Sequence, residues 1–478
     1  MRKTVITLLA AFSLLTPVAA QDLETGYFLG GNPYAFRLNP AFQSERNIIS
    51  LAMGMTGASV QSNMGIYSLL YPDPATGKVY TFLNNHVSAS EFLKKMHRNN
   101  YLDADVQVNL AATGFWIRDN FFTVDLNIRS MEAVSLPYDL FRFLKGEKSE
   151  GSVYECGNLG VKTLSLGEAA VGWSRRFDGG FSLGARTKFL VGAEEAHVMI
   201  DKLKVSIQDN SWAVESHGSL VSSTPVLEIP EVEGGGNLDF SKISLDMSKL
   251  APAGWGAAFD FGFSWDPLPF LTVSGSILDL GAVYWNHELV YQTPDKAYNY
   301  SPTEQSEAEG AKYEVLELLG VASNLLNWRE AASGKPGFEM LPFRLLAGAE
   351  YRMPFYDRLS VGVLYQGRFV DTYDRHTGRL SLNVSPLDFL SVSTSTSFSR
   401  FGESVGFALN LHPVGVNFIL GCDYIPLCYV DASPLFKDIP EKMAKYALLP
   451  RGPVNLNFYF GLNVAFGRRR LDYRRNYL

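Results

Sequence analysis

The pattern of apolar and polar positions is clearest near the C-terminus, over residues 454–466 (VNLNFYFGLNVAF). Val454, Leu456, Phe458, Phe460, Leu462, Val464 and Phe466 alternate with Asn455, Asn457, Tyr459, Gly461, Asn463 and Ala465. A period of two places successive side chains on opposite faces of a strand. A strand of this length exceeds the roughly 5–6 residues usual in soluble sheets and suits the roughly 9–11 tilted residues that cross a bilayer. One face is aromatic and continuous, the other Asn-rich and almost uncharged, as for a wall between lipid and a water-lined interior.

The same alternation recurs along the chain. Ile49, Leu51, Met53 and Met55 oppose Ser50, Ala52, Gly54 and Thr56; Val106, Val108, Leu110 and Ala112 oppose Asp105, Gln107, Asn109 and Ala111. Trp255, Ala257, Phe259, Phe261, Phe263 and Trp265 oppose Gly256, Ala258, Asp260, Gly262 and Ser264. Leu390, Val392, Thr394, Thr396 and Phe398 oppose five serines, and Val416, Phe418, Leu420, Cys422 and Tyr424 form a further outward face. Short turns are expected near residues 118, 178, 267, 355, 387 and 413, with Asp178-Gly179-Gly180 a strong hairpin signal. Longer connections (61–103, 137–157, 192–252, 293–337 and 427–452) fall at the other end. This parity predicts an all-β fold, a transmembrane antiparallel barrel of about 14 strands. Residues 88–98, with a Ser88 cap, and 310–328, with a broad apolar face, are expected to be helical outer connections.

The first residues do not follow this pattern. Arg2, Lys3, an apolar run to Leu15 and the small residues Ala19-Ala20 read as a signal peptide over 1–20, cleaved before Gln21. Residues 21–46 carry Asn32-Pro33 and Asn39-Pro40, which do not suit a ladder. They are expected to form a plug-like segment ahead of a barrel over 47–466, with 467–478 a basic periplasmic tail.

Composition narrows the class. No later stretch supplies a helical span of ~20 apolar residues, and a mean hydropathy of -0.01 is what alternation produces. Aromatic residues make up 13% of the chain, as for rings gathered at two interfaces. A net charge of -7 argues against nucleic-acid partners. Cys422 and Cys428 are able to pair in an oxidising compartment, but an outward free thiol is the favoured state of Cys422. The seven histidines form no triad or zinc spacing, and Gly234-Gly235-Gly236 precedes no phosphate-binding helix, so no enzyme, metal or cofactor is expected. Alternation points Asp125, Arg129, Arg186, Lys188, Asp260, Arg344, Glu350, Arg352, Arg368 and Asp423 into the lumen. Their mixed signs argue for pairing rather than ion selectivity. Inward Leu346, Ile419 and Ile425 favour a hydrophobic passage or a packed interior.

Asn39-Pro40-Ala41-Phe42 resembles the Asn-Pro-Ala element near the start of FadL-type barrels. The segment 26–42 and the stretch FLTVSGSILDLGAVYW (270–285), with Ile277-Leu278-Asp279-Leu280-Gly281, resemble a Bacteroidota family of outer-membrane barrels of unknown function. That resemblance implies a 14-stranded outer-membrane transporter of hydrophobic molecules with an N-terminal plug and periplasmic termini. The implied partners are membrane lipid, a hydrophobic ligand and proteins at the outer loops. The alternatives are a non-transporting scaffold in a surface complex, like the FadL-like component PorV of a secretion system, or a general porin-like channel.

Overall fold

The computed structural model describes residues 23–467, apart from 52–53, 73–78, 147–148, 209–210, 229, 231–243, 250, 295–296, 301–325, 427–428, 432–447 and 451. The expected signal peptide, the basic tail beyond Gly467, Cys428 and most of the apolar stretch 310–328 lie outside the described residues.

Alternation generates a single antiparallel sheet that closes on itself. Its wall strands are β1 (Asn47–Leu51 and Thr56–Ser62), β2 (Asn99–Ile117), β3 (Asn120–Pro137), β4 (Leu159–Arg176), β5 (Phe181–Ile207), β6 (Gly254–Leu268) and β7 (Leu271–Gln292). They continue as β8 (Arg329–Met340 and Phe343–Arg352), β9 (Leu359–Phe369), β10 (Arg375–Leu387), β11 (Leu390–Ser399), β12 (Gly402–Leu411), β13 (Val416–Ile425) and β14 (Asn455–Phe466). Closure is made by β14 against β1, with Ile48 opposite Ala465 and Thr56 opposite Phe460. The result is a closed 14-strand antiparallel barrel, which leaves no wall strand with an unpaired edge.

Asn47, at the start of β1, pairs with Phe466, at the end of β14. Both therefore lie at the end that carries the short turns at 118–119, 178–180, 269–270, 353–358, 388–389 and 412–415. The opposite end bears the longer connections, although 370–374 and 400–401 are also short there. Along β6, Trp255, Phe259, Phe261, Phe263 and Trp265 are exposed while Ala258, Asp260 and Ser264 are buried. The aromatic side is thus bare around the outside, and the small and polar side faces in.

Strict alternation fails where the ladder is interrupted. A register shift between Asn109 and Ala111 turns Ala112, expected outside, into the interior. The facing break between the two segments of β1 turns Met55 inward as well, where Arg37 Nη1 donates to its carbonyl oxygen at 3.2 Å. In β13 the shift opposite Val405 and Phe407 buries Asp423 and Tyr424 together, and Ile425, expected inside, pairs with outward Val405. An extra residue in one strand reverses the facing of everything beyond it, which is why these positions depart from the period of two.

Beyond Gly192, β5 pairs with the arm Trp212–Ser222, and α1 (Ala89–Leu93) and α2 (Tyr138–Lys145) lie in the β1–β2 and β3–β4 connections at the same end. Ser88 caps α1 by accepting from the Glu91 N–H at 3.4 Å, but the helix stops at Leu93 rather than reaching residue 98. The fully buried Phe92 of α1 packs against Phe141 of α2 with ring centroids 5.7 Å apart.

Candidate functional site

The lumen is the site that the fold builds, and it is largely filled. From the short-turn end, residues 23–46 run against its inner face. The side-chain Nδ2 of Asn39 donates to the carbonyl oxygens of Phe263 (3.0 Å) and Gly275 (3.3 Å). The Ser276 hydroxyl donates to the Leu38 carbonyl at 2.7 Å. Gly184 and Gly262 lie directly beneath Pro40 and Asn39, and a Cβ at either position would collide with them. Close backbone approach explains why these wall positions are glycine. The Asn-Pro-Ala element is therefore a contact point between segment and wall, and Ala41 N–H donates to Asn39 Oδ1 at 3.0 Å. Phe42 packs edge-on against Tyr27 at 5.1 Å.

At its other end the segment is held by charge. The carboxylate of Asp423 accepts from the N–H groups of Glu24 (3.0 Å) and Thr25 (2.5 Å). Arg379 Nη2 pairs with Glu24 Oε2 at 2.9 Å, and Thr25 Oγ1 lies 2.8 Å from Ser395 Oγ. Arg379 and Glu24 escaped the sequence reading. For Arg379 the signal was present, since it lies between the outward pair Gly378 and Leu380.

Beyond the segment lies a layer of ion pairs drawn from β3, β4, β5, β6, β7 and β8. Arg186 Nη2 meets Asp125 Oδ2 at 2.7 Å and Arg186 Nη1 meets Asp260 Oδ2 at 3.1 Å. Lys188 lies 2.9 Å from Asp260 and 2.6 Å from Asp279. Asp279 also receives Arg129 at 2.6 Å and Arg344 at 3.3 Å, and Arg129 reaches Glu168 at 3.0 Å. Four carboxylates thus face four cations. Buried charges are tolerated when each is paired and hydrogen-bonded, and this layer neutralises itself without an added ion.

Two of its members, Asp279 and Glu168, were missed. Asp279 sits at φ +64 in a shift between β6 and β7, a conformation Asp adopts more readily than most residues. Its parity was therefore unreadable, and only the odd placement of an acid in the Leu-Asp-Leu-Gly run marked it. Glu168 was legible because it lies an odd number of residues before the outward Trp173 of β4, on the opposite face.

The other candidate residues make their own contacts beside this layer or at the short-turn end. Arg368 makes a two-pronged pair with Asp105, both contacts at 2.8 Å. Glu350 accepts from the Ser360 hydroxyl at 2.7 Å. Arg352, half-buried, lines a cavity of about 580 Å³ at the short-turn end, whose floor is formed by residues 27–45. A second cavity of only about 40 Å³ lies against Arg129, Asp279, Arg344 and Arg368, beside Leu341 and Pro342, where β8 is interrupted. Above the charged layer Met131, Leu164, Leu166, Leu190, Val283 and Trp285 pack together, beside a further buried cation, Lys162, which pairs with Glu339 and Asp371. Cys422 is a half-buried free thiol. Among the described residues no group of His, Cys, Asp and Glu has the arrangement of a metal site.

A closed 14-strand barrel whose lumen holds its own N-terminal segment is the class that fold and site define. Residues 40–423 match a family of unknown function (DUF5723), and the chain belongs to that family. No curated protein sequence matches it. Among solved structures it is similar to the toluene transporter TbuX of Ralstonia pickettii (9% identity, 94% of this chain and 99% of that one, TM-score 0.42). It is also similar to a FadL homologue of Pseudomonas aeruginosa (11%, 95% and 100%, 0.42) and to the toluene transporter TodX of P. putida (8%, 93% and 94%, 0.40).

Proposed function

We propose that this protein is an outer-membrane barrel that passes small hydrophobic molecules, with residues 21–46 as its plug and the short turns and termini on the periplasmic side. The observation that carries the reading is the inversion of the wall: exposed Trp255, Phe259, Phe261, Phe263 and Trp265 outside, fully buried Asp260 inside. A lipid-facing wall has this arrangement and a soluble core has the reverse. The apolar cluster around Trp285 above the charged layer supports a hydrophobic cargo. The plug and the charged layer above it define two barriers that a cargo has to pass.

Proteoliposomes holding the purified barrel are expected to take up labelled alkanes or fatty acids faster than empty vesicles. Deletion of residues 23–46 is expected to raise that rate. Uptake equal to that of empty vesicles in both forms would end the transport reading. The ion pairs that cross the lumen from β3 to β8 favour a second reading, a closed barrel that acts as a scaffold. Its test is co-purification of stoichiometric partners from mildly solubilised membranes.

A further inference from the structure

The connection between β9 and β10, residues 370–374, crosses the lumen. The ladder of the two strands ends at the pair Arg368–Arg375. In a 14-strand cylinder β9 and β2 stand on opposite walls, seven strands apart in either direction. Yet the Tyr373 hydroxyl donates to Asp103 of β2, and its ring lies 4.4 Å from that of Tyr101. Asp371 accepts from Lys162 of β4 at 2.8 Å. Thr372 packs on Gly160 of the same strand, where a Cβ would lie 2.8 Å from its Cγ2. Val370 lies against the apolar cluster around Trp285. The hairpin tip thus spans the lumen from wall to wall, beside that cluster, at the end opposite the short turns.

Its contacts are of a kind that water is able to replace. The Asp371 side chain is 56% exposed, and when it leaves, the buried Lys162 keeps Glu339. When Tyr373 leaves, Asp103 keeps Arg375 at 3.4 Å. Opening therefore strands no buried charge, the event that makes other buried pairs costly to break. In the closed arrangement the buried Thr372 hydroxyl oxygen has no hydrogen-bond partner, a cost that contact with water removes. The base of the hairpin is held more firmly, by the buried two-pronged pair of Arg368 and Asp105.

We propose that residues 370–374 are the outer gate of the lumen. The tip folds in to cover the apolar cluster and swings out, about the base held by Arg368 and Asp105, to expose it. That cargo enters there rests on the transport reading above; the movement itself does not.

The test uses the full chain in lipid nanodiscs with Cys156, Cys422 and Cys428 replaced by Ala and Val283→Cys as a reporter within the cluster, where the parent side chain is 1% exposed. Alkylation of the reporter by iodoacetamide is followed by mass spectrometry, and heat-dependent gel mobility checks that each barrel is folded. Asp371→Ala with Tyr373→Phe is expected to raise the alkylation rate at least tenfold. Gly160→Cys with Thr372→Cys places two Cβ atoms 3.8 Å apart, the usual span of a disulfide. Oxidation of this pair is expected to form the bond and to lower the reporter's rate at least tenfold, a test that holds even where the released variant does not fold. An unchanged rate in the folded released variant or in the oxidised pair, or failure of the pair to oxidise, overturns the proposal. Uptake of labelled alkanes by the same proteins in proteoliposomes is expected to stop on oxidation. Gated alkylation without uptake in any form retains the gate and ends the transport reading.

Discussion

Arg186 on β5 and Asp125 on β3 are separated by a whole strand, yet they form a 2.7 Å ion pair. The side chain reaches across β4 at Gly172, which pairs with Arg186 on one side and with Thr123 on the other. A Cβ at Gly172 would lie 2.7 Å from Arg186 Cγ. Only the absent side chain leaves a channel for the guanidinium. Gly172→Ala is expected to lower barrel stability by about 1–3 kcal/mol, the usual cost of overpacking, and Gly172→Leu by more. Urea titration followed by heat-dependent gel mobility reads the difference.

Asp279 meets Arg129, Lys188 and Arg344 at once. Asp279→Ala strands these cations and is expected to cost about 3–5 kcal/mol, as for other buried pairs broken on one side. Asp279→Asn suits the positive φ and is expected to fall between Ala and the parent. Adding Lys188→Met to Asp279→Ala is expected to recover part of the loss. Strict additivity of the two single changes would show that the residues do not interact.

Asp423 holds two backbone N–H groups at the tip of the N-terminal segment. Asp423→Ala leaves those donors unsatisfied and removes a partner of Arg379 at 3.5 Å. The segment is expected to loosen, with faster proteolysis at Arg37 and Arg46 and an unchanged wall. An unchanged cleavage rate would place the hold elsewhere, on Asn39 and Ser276.

Past Gly192, β5 leaves its partner β6 and joins the arm Trp212–Ser222. Glu195 in this extension is 2% exposed and its Oε2 has no hydrogen-bond partner. Burial first, then the neighbouring Glu339, pushes its carboxyl up to about 9, with Lys162 opposing the rise and Glu288 and Asp371 adding to it. The native state thus holds a proton that the unfolded chain releases near the ordinary carboxylate value. Glu195 contributes stability fully below that value, and the contribution is lost as pH rises toward 9. Glu195→Gln is expected to flatten this loss, so its thermal midpoint gains on the parent steadily from pH 5 to pH 9. A constant difference across that range would refute the assignment.

The class of fold was readable from the chain because alternation is a local property. Each strand of an inside-out wall must present one greasy and one polar face, whatever its neighbours are. Val454 to Phe466 declared that rule, and turn spacing supplied the strand number. Ser88 also announced a real helix start, although the sequence placed its end five residues too far.

What the sequence left open depends on pairs of distant segments. Whether a strand gains an extra residue at Ala111, Asp279 or Tyr424 depends on what faces it across the ladder and inside the lumen, so Ala112, Met55 and Ile425 were assigned to the wrong side. The partners of the inward charges were equally hidden: Arg186 reaches Asp125 because a glycine on the intervening strand lets it pass. The period of two determined which charges face in, and only closure of the cylinder decided which of them meet. The reason is that facing is set by backbone geometry within one strand, while pairing is set by distances among strands far apart in sequence, 150 residues for Arg129 and Asp279 and 263 for Asp105 and Arg368.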